Sequence, residues 1–82
     1  MTVRIRLFAG LRERAGWSER HLDLATEARS PAEVWRLLAA ELGEAPQLPP
    51  DIRVAVNQQF ASADALLQEG DELAFLPPIS GG

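Results

Sequence analysis

The chain has 82 residues, no cysteine and a net charge of −4, and all eight of its basic side chains are arginine. That length allows one small domain, which buries only about 60% of the surface its unfolded form exposes and leaves no room for a deep substrate pocket. The missing cysteines exclude disulfides, thiolate metal sites and a cysteine nucleophile. Net acidity argues against nucleic acid as a ligand, and no apolar run approaches the roughly 20 residues that cross a bilayer.

The first strand is read in Val3, Ile5 and Leu7, which alternate with Thr2, Arg4 and Arg6. That alternation predicts a half-buried strand with Val3, Ile5 and Leu7 on the core and Phe8, by parity, turned outward beside Arg6. It also lacks the continuous apolar core of a signal peptide, so a cytoplasmic protein with no membrane partner is expected. Ala9 to Gly16 reads as a short helical turn with Leu11 and Ala15 at i and i+4, closed by Gly16. Alternation resumes over Glu19 to Leu24, a second strand antiparallel to the first, with Trp17 at the core edge. His21, the only histidine, lies on the polar side of that strand and finds no metal-site companions.

Ala25 to Arg29 is loop, and Ser30-Pro31-Ala32-Glu33 then carries a strong helix start. Ser30 can cap, Pro31 fits the first helical position and Glu33 completes a capping box. Val34, Leu37, Leu38 and Leu42 form one apolar stripe, flanked by Trp35, and Gly43 ends the helix. A stiff connector with Pro46, Pro49 and Pro50 follows. Ile52, Val54 and Val56 predict a third strand, Asn57-Gln58-Gln59 a turn, and Phe60-Ala61 a short return strand. Ser62 to Leu67 reads as another helical turn with Leu67 buried, and Glu69-Gly70 turns into a last strand, Asp71 to Leu76. There Leu73 and Phe75 face the core, and Ala74 and Leu76 face away. Asp71-Glu72 reads as a solvated edge device.

One main helix with four or five strands makes a two-layer α+β domain. With the first two strands as a hairpin, the first and last strands pair as parallel central neighbours. The expected architecture is a ubiquitin-like β-grasp over residues 1–76, a mixed sheet with one helix on one face, followed by an extended tail over 77–82.

That tail is the most distinctive stretch. Pro77-Pro78 must stop the strand and leave the sheet as stiff extended chain, because proline fixes φ and has no N–H. Gly81 and Gly82 carry no side chain and can pass through a slot closed to any other residue. No enzyme constellation appears elsewhere: no phosphate-binding glycine loop, no serine with a base at a useful spacing, no metal cluster. Charge is uneven, with five arginines in residues 1–20 and four acids but no base in residues 54–82. The acidic third would suit a basic partner surface or a solvated rim. What remains reactive is the Gly82 carboxylate. It is a poor electrophile until activated, most directly as an acyl-adenylate made with ATP, after which it can accept sulfur or an amine.

Phe8-Ala9 with Arg12-Glu13 and Gly16, then Ala55-Val56-Asn57-Gln58, and above all Gly70 to Leu76 running into Pro77-Pro78-Ile79-Ser80-Gly81-Gly82, give the chain a near end-to-end resemblance to the small, sulfur-carrying subunits of molybdopterin synthase. A bare Gly-Gly end is shared with ubiquitin-like modifiers and the thiamine sulfur carrier; the Pro-Pro pair before it is more specific. The resemblance implies a carrier with no catalytic side chains and no bound cofactor. An E1-like adenylyltransferase would activate Gly82 with ATP-Mg, and a sulfurtransferase would supply sulfur to make a thiocarboxylate. The tail, Pro77 through Gly81, would enter the large synthase subunit in a heterotetramer and donate sulfur to cyclic pyranopterin monophosphate. The family's apolar docking positions map onto Phe8, Phe60 and Leu76. Thiamine or tRNA thiolation, protein modification, and a plain interaction module remain the alternatives.

Overall fold

The structure is a computed structural model, described over residues 1–25 and 29–78. Its elements are β1 (Thr2–Leu7), α1 (Ala9–Ala15), β2 (Glu19–Asp23), α2 (Pro31–Leu42), β3 (Arg53–Val56), β4 (Gln59–Ala61) and β5 (Glu72–Leu76). The strands form one five-stranded mixed sheet in the order β2-β1-β5-β3-β4. β1 and β2 make an antiparallel hairpin, β1 and β5 run parallel at the centre, and β3 lies antiparallel to both β5 and β4. This is the β-grasp order expected from the sequence.

The main helix, α2, starts and stops where its end residues dictate. Ser30 Oγ accepts the Glu33 N–H at 3.3 Å, Pro31 takes the first helical position, and the Ser30 hydroxyl donates to the Glu33 carboxylate at 3.0 Å. At the far end Gly43 takes φ 69°, and the Gly43 and Glu44 N–H groups reach back to the Ala40 and Ala39 carbonyls, a Schellman ending. Gly16 closes α1 in the same left-handed conformation.

The core lies between α2 and one sheet face. Val3, Ile5, Leu7, Val54, Leu73 and Phe75 supply the sheet side, and Val34, Trp35, Leu38 and Leu42 the helix side. Trp35 and Phe75 meet edge to face at 5.3 Å between ring centres, and the Trp35 indole N–H donates to the Ala45 carbonyl at 3.1 Å. That contact gives the ring body an apolar bed and its one polar atom a partner. Leu11 and Leu67 close the ends of the core.

Three expectations about the core need correction. Trp35 does not flank the stripe; it is fully buried at its centre. Leu37 is the stripe member left out, at 56% exposed. The buried face is Val34, Trp35, Leu38, Ala39 and Leu42, so α2 is turned on the sheet toward Trp35 and Ala39 and away from Leu37. Ser62 to Leu67 goes no further than one turn, closed by the Ala65 N–H donating to the Ser62 carbonyl at 3.1 Å. Its backbone serves α2 instead: the Ala63 carbonyl accepts the Ala32 N–H at 2.9 Å, one of the amides a helix start leaves unpaired, and the Leu67 N–H donates to the Arg29 carbonyl at 2.8 Å. Leu67 is buried as expected. The third strand starts at Arg53, one residue after the expected Ile52, and Gln59 belongs to β4 rather than to the turn.

Candidate functional site

The sheet face turned away from α2 is read directly from register. Its middle row runs Glu19, Arg6, Ala74, Ala55, Phe60 across all five strands. Above it, Arg53 of β3 stands opposite Leu76 of β5; below it, Arg4 of β1 lies between His21 and Glu72. The two small residues in the middle of this pattern have consequences for shape. Ala55 and Ala74 form the floor of a depression of about 200 Å³, walled by Phe8, Leu76, Phe60, Arg6 and Gln58, with Glu72 at its margin.

Three residues expected to make the apolar contact, Phe8, Phe60 and Leu76, therefore stand around one depression. Phe8 lies between β1 and α1, at the N-cap position of α1, with the Arg6 guanidinium 5.1 Å from its ring centre. Phe60 sits on the edge strand β4, 66% exposed, with Arg53 stacked 4.3 Å above it. Phe60 is thus a large apolar ring left in solvent beside the half-buried Phe8 and Leu76. Leu76 is half-buried and leads into Pro77 and Pro78, which with Phe8 line a wider groove of about 760 Å³ at the root of the tail. Ile79, Ser80, Gly81 and Gly82 lie outside the described residues.

The β3–β4 turn holds the wall at Gln58. Val56 pairs with Gln59, so only Asn57 and Gln58 form the loop, and both take positive φ, 52° and 69°. That is the turn that matches strand twist, and it favours asparagine first. Asn57 earns its place through its side chain, accepting the Glu72 N–H and donating to Asp71, each at 3.0 Å.

Glu72 corrects the reading of Asp71-Glu72 as a solvated edge device. It is 6% exposed and held between two arginines, Arg4 at 2.5 Å and Arg6 at 3.7 Å. The hydrogen bond to Glu72 also raises the Arg4 guanidinium above its ordinary value. β5 is central rather than an edge strand, so its first residues face neighbours and not solvent. The other acids of the C-terminal third also have internal partners: Asp64 accepts from Ser62, Glu69 from the Thr2 N–H, and Asp71 from the Gln68 N–H. Sequence reasoning missed the Arg4–Glu72–Arg6 cluster, the alanine floor and the position of Arg53. Parity along β5 carried the first two, since Glu72, Ala74 and Leu76 must share a face.

His21 is exposed on β2, and no group of three or more His, Cys, Asp or Glu suited to a metal ion occurs among the described residues. No helix among them is long and apolar enough to cross a membrane. What the described residues do bring together is an apolar depression and the start of the tail, both along β5.

Comparison with known proteins agrees in fold and family. The model of the ThiS family matches residues 5–82. The molybdopterin synthase sulfur carrier subunit of Drosophila yakuba is 34% identical over 85 residues, spanning this whole chain and 92% of that protein. Among solved structures, SAMP1 of Haloferax volcanii, a small archaeal modifier protein, superposes with a TM-score of 0.82 at 27% identity over the full length of both chains. One chain of the complex of subunits 1 and 2 of the molybdopterin-converting factor of Helicobacter pylori matches with a TM-score of 0.62 at 21% identity, over all of this chain and all of that one, which is a likeness of fold. The chain belongs to the ThiS family and stands within it among the molybdopterin synthase sulfur carrier subunits.

Proposed function

We propose that this chain carries sulfur for molybdopterin synthesis as a thiocarboxylate on Gly82. An E1-like adenylyltransferase, using ATP-Mg, converts the Gly82 carboxylate to an acyl-adenylate and releases pyrophosphate. A sulfurtransferase system then supplies sulfur, AMP leaves, and the thiocarboxylate forms. Docked in a heterotetramer with the large synthase subunit, the tail donates that sulfur to cyclic pyranopterin monophosphate and returns as a carboxylate. The carrier contributes no catalytic side chain, and the cycle runs in the cytoplasm.

One observation carries this reading beyond the family: the depression and the tail are continuous along β5. Leu76 lines the depression, and the next residue, Pro77, begins the extended segment. A partner that covers Phe8, Phe60 and Leu76 therefore receives the tail at the same time. Pro77-Pro78 stiffens the root, so Ile79, Ser80, Gly81 and Gly82 are delivered with less loss of chain freedom than a flexible linker would suffer.

The test is a mass measurement on the chain produced with its activating and sulfur-supplying partners. The expected species is heavier by the difference between sulfur and oxygen at the C-terminus, and it is lost when Gly82 is deleted. Transfer of sulfur by the truncated chain would sink the proposal.

A second reading is supported by the likeness to small archaeal modifier protein 1. The same activated Gly82 would form an amide with a lysine of a target protein. Conjugates of increased mass in cells expressing the tagged chain, absent with Gly82 deleted, would favour it. With no lysine of its own, the chain cannot extend itself through a side-chain amide.

A further inference from the structure

The alanine floor and Arg53 point to more than a generally apolar contact. Phe8, Leu76 and Phe60 are large, whereas Ala55 and Ala74 between them are the smallest side chains of their rows. The space of about 200 Å³ so created is the size of one large side chain, too small for a helix or a nucleotide. Its walls are apolar except for Arg6, Gln58 and Glu72 at the margin. Arg6 is already engaged by Glu72 and Glu19.

Arg53 is not so engaged. Arg4, Arg6, Arg14 and Arg20 each have a carboxylate within 4.0 Å. Arg53, like Arg12 and Arg36, has none among the described residues; its guanidinium lies over the Phe60 ring, 4.3 Å from the centre, and Phe60 walls the depression. A cation held on an aromatic ring at the edge of an apolar seat is pre-organised for a carboxylate that arrives with the occupant.

We propose that the depression seats one large apolar side chain of the large synthase subunit on Ala55 and Ala74, and that a carboxylate of that subunit, close to the seated residue, pairs with Arg53. This rests on the docking reading above and assigns its central contact. A central, fully desolvated anchor with a charged rim is where interface energy concentrates.

Titration calorimetry of the full chain against the purified large subunit tests it. Ala74→Leu and Ala55→Leu fill the seat from the side away from the core; each raises Kd tenfold or more without lowering the melting temperature. Arg53→Glu raises Kd at least tenfold, and Arg53→Lys, which keeps the charge, stays within threefold of the parent. In the unmodified chain, the methyl NMR signals of Ala55 and Ala74 shift on adding the large subunit. Parent-like affinity of both leucine variants, or unshifted alanine methyls, while Leu76→Asp no longer binds, overturns the seat and leaves the docking reading standing. Parent-like binding of Leu76→Asp as well overturns both.

Discussion

Arg4 and Glu72 are register partners across the parallel β1–β5 ladder, and their side chains close a 2.5 Å hydrogen bond over the same step. A local contact on the sheet surface thus marks the pairing of the first and last strands. Breaking a fully buried ion pair from one side costs about 3–5 kcal/mol. Here the arginines are roughly two-fifths exposed and water recovers much of that. Glu72→Gln is expected to lower unfolding free energy by about 1–2 kcal/mol, read from urea denaturation with an unchanged m-value. A loss within error of zero would mean the cluster is solvated.

Leu37 and Leu38 are adjacent, yet they should respond oppositely. Leu38 is in the core, and Leu38→Ala should cost about 2–5 kcal/mol. Leu37 is on the solvent side, and Leu37→Glu should stay within about 0.5 kcal/mol of the parent. Thermal melts of the two variants check both at once.

Arg20 holds Glu41 of α2 by two hydrogen bonds of 3.0 and 3.1 Å and stacks on Trp17, 4.2 Å from its ring centre. The Arg20 hydrogen bond pulls the Glu41 pKa below its ordinary 4.5. A carboxyl with a depressed pKa in the folded state stabilises fully above its unfolded value and loses that contribution as pH falls through the folded one. The melting temperature of the parent should therefore exceed that of Glu41→Gln at pH 7, and the gap should close below about pH 4. A gap that widens on acidification would contradict the assignment.

Gln58 takes a conformation that glycine accepts freely, and the left-handed region costs other residues about 1–2 kcal/mol. Gln58→Gly should stabilise the fold by about 0.5–1 kcal/mol while removing a wall of the depression. Higher melting temperature together with weaker binding to the large subunit is the expected pair of results. Higher stability with unchanged binding would show that the wall is dispensable.

Leu76→Asp brings a carboxylate to the depression at the root of the tail, so docking would bury an unpaired charge. Affinity for the large subunit should fall at least a hundredfold. The far-UV spectrum should not change, because Leu76 is outside the core cluster. Parent-like affinity would remove Leu76 from the interface.

Strand faces were legible because two-residue periodicity is unambiguous when one side is packed: Val3, Ile5 and Leu7, or Leu73 and Phe75, could face only inward. Helix ends were legible because Ser30, Pro31 and Gly43 act locally. Leu37 was misread, and Ser62–Leu67 over-extended, because periodicity gives a helical face but not how the helix is turned on its sheet, nor where a loop's backbone groups find partners. Glu72 was misread for a related reason. Whether a carboxylate at a strand start meets water or two arginines depends on which strand lies beside it, and that is settled 68 residues away in sequence. The depression belonged to the same class: Phe8, Ala55, Phe60, Ala74 and Leu76 are scattered along the chain and become neighbours only through register.

β5 lies between β1 on one side and β3 on the other, and it is the strand from which Pro77 emerges. A pull along the tail therefore acts parallel to two hydrogen-bonded ladders. Such a load is shared by many bonds in shear, whereas an edge strand would peel away one bond at a time. A force applied at Pro77 therefore reaches the sheet at its centre and not at an edge. In the proposed transfer cycle, a partner releasing the tail would therefore leave the domain folded.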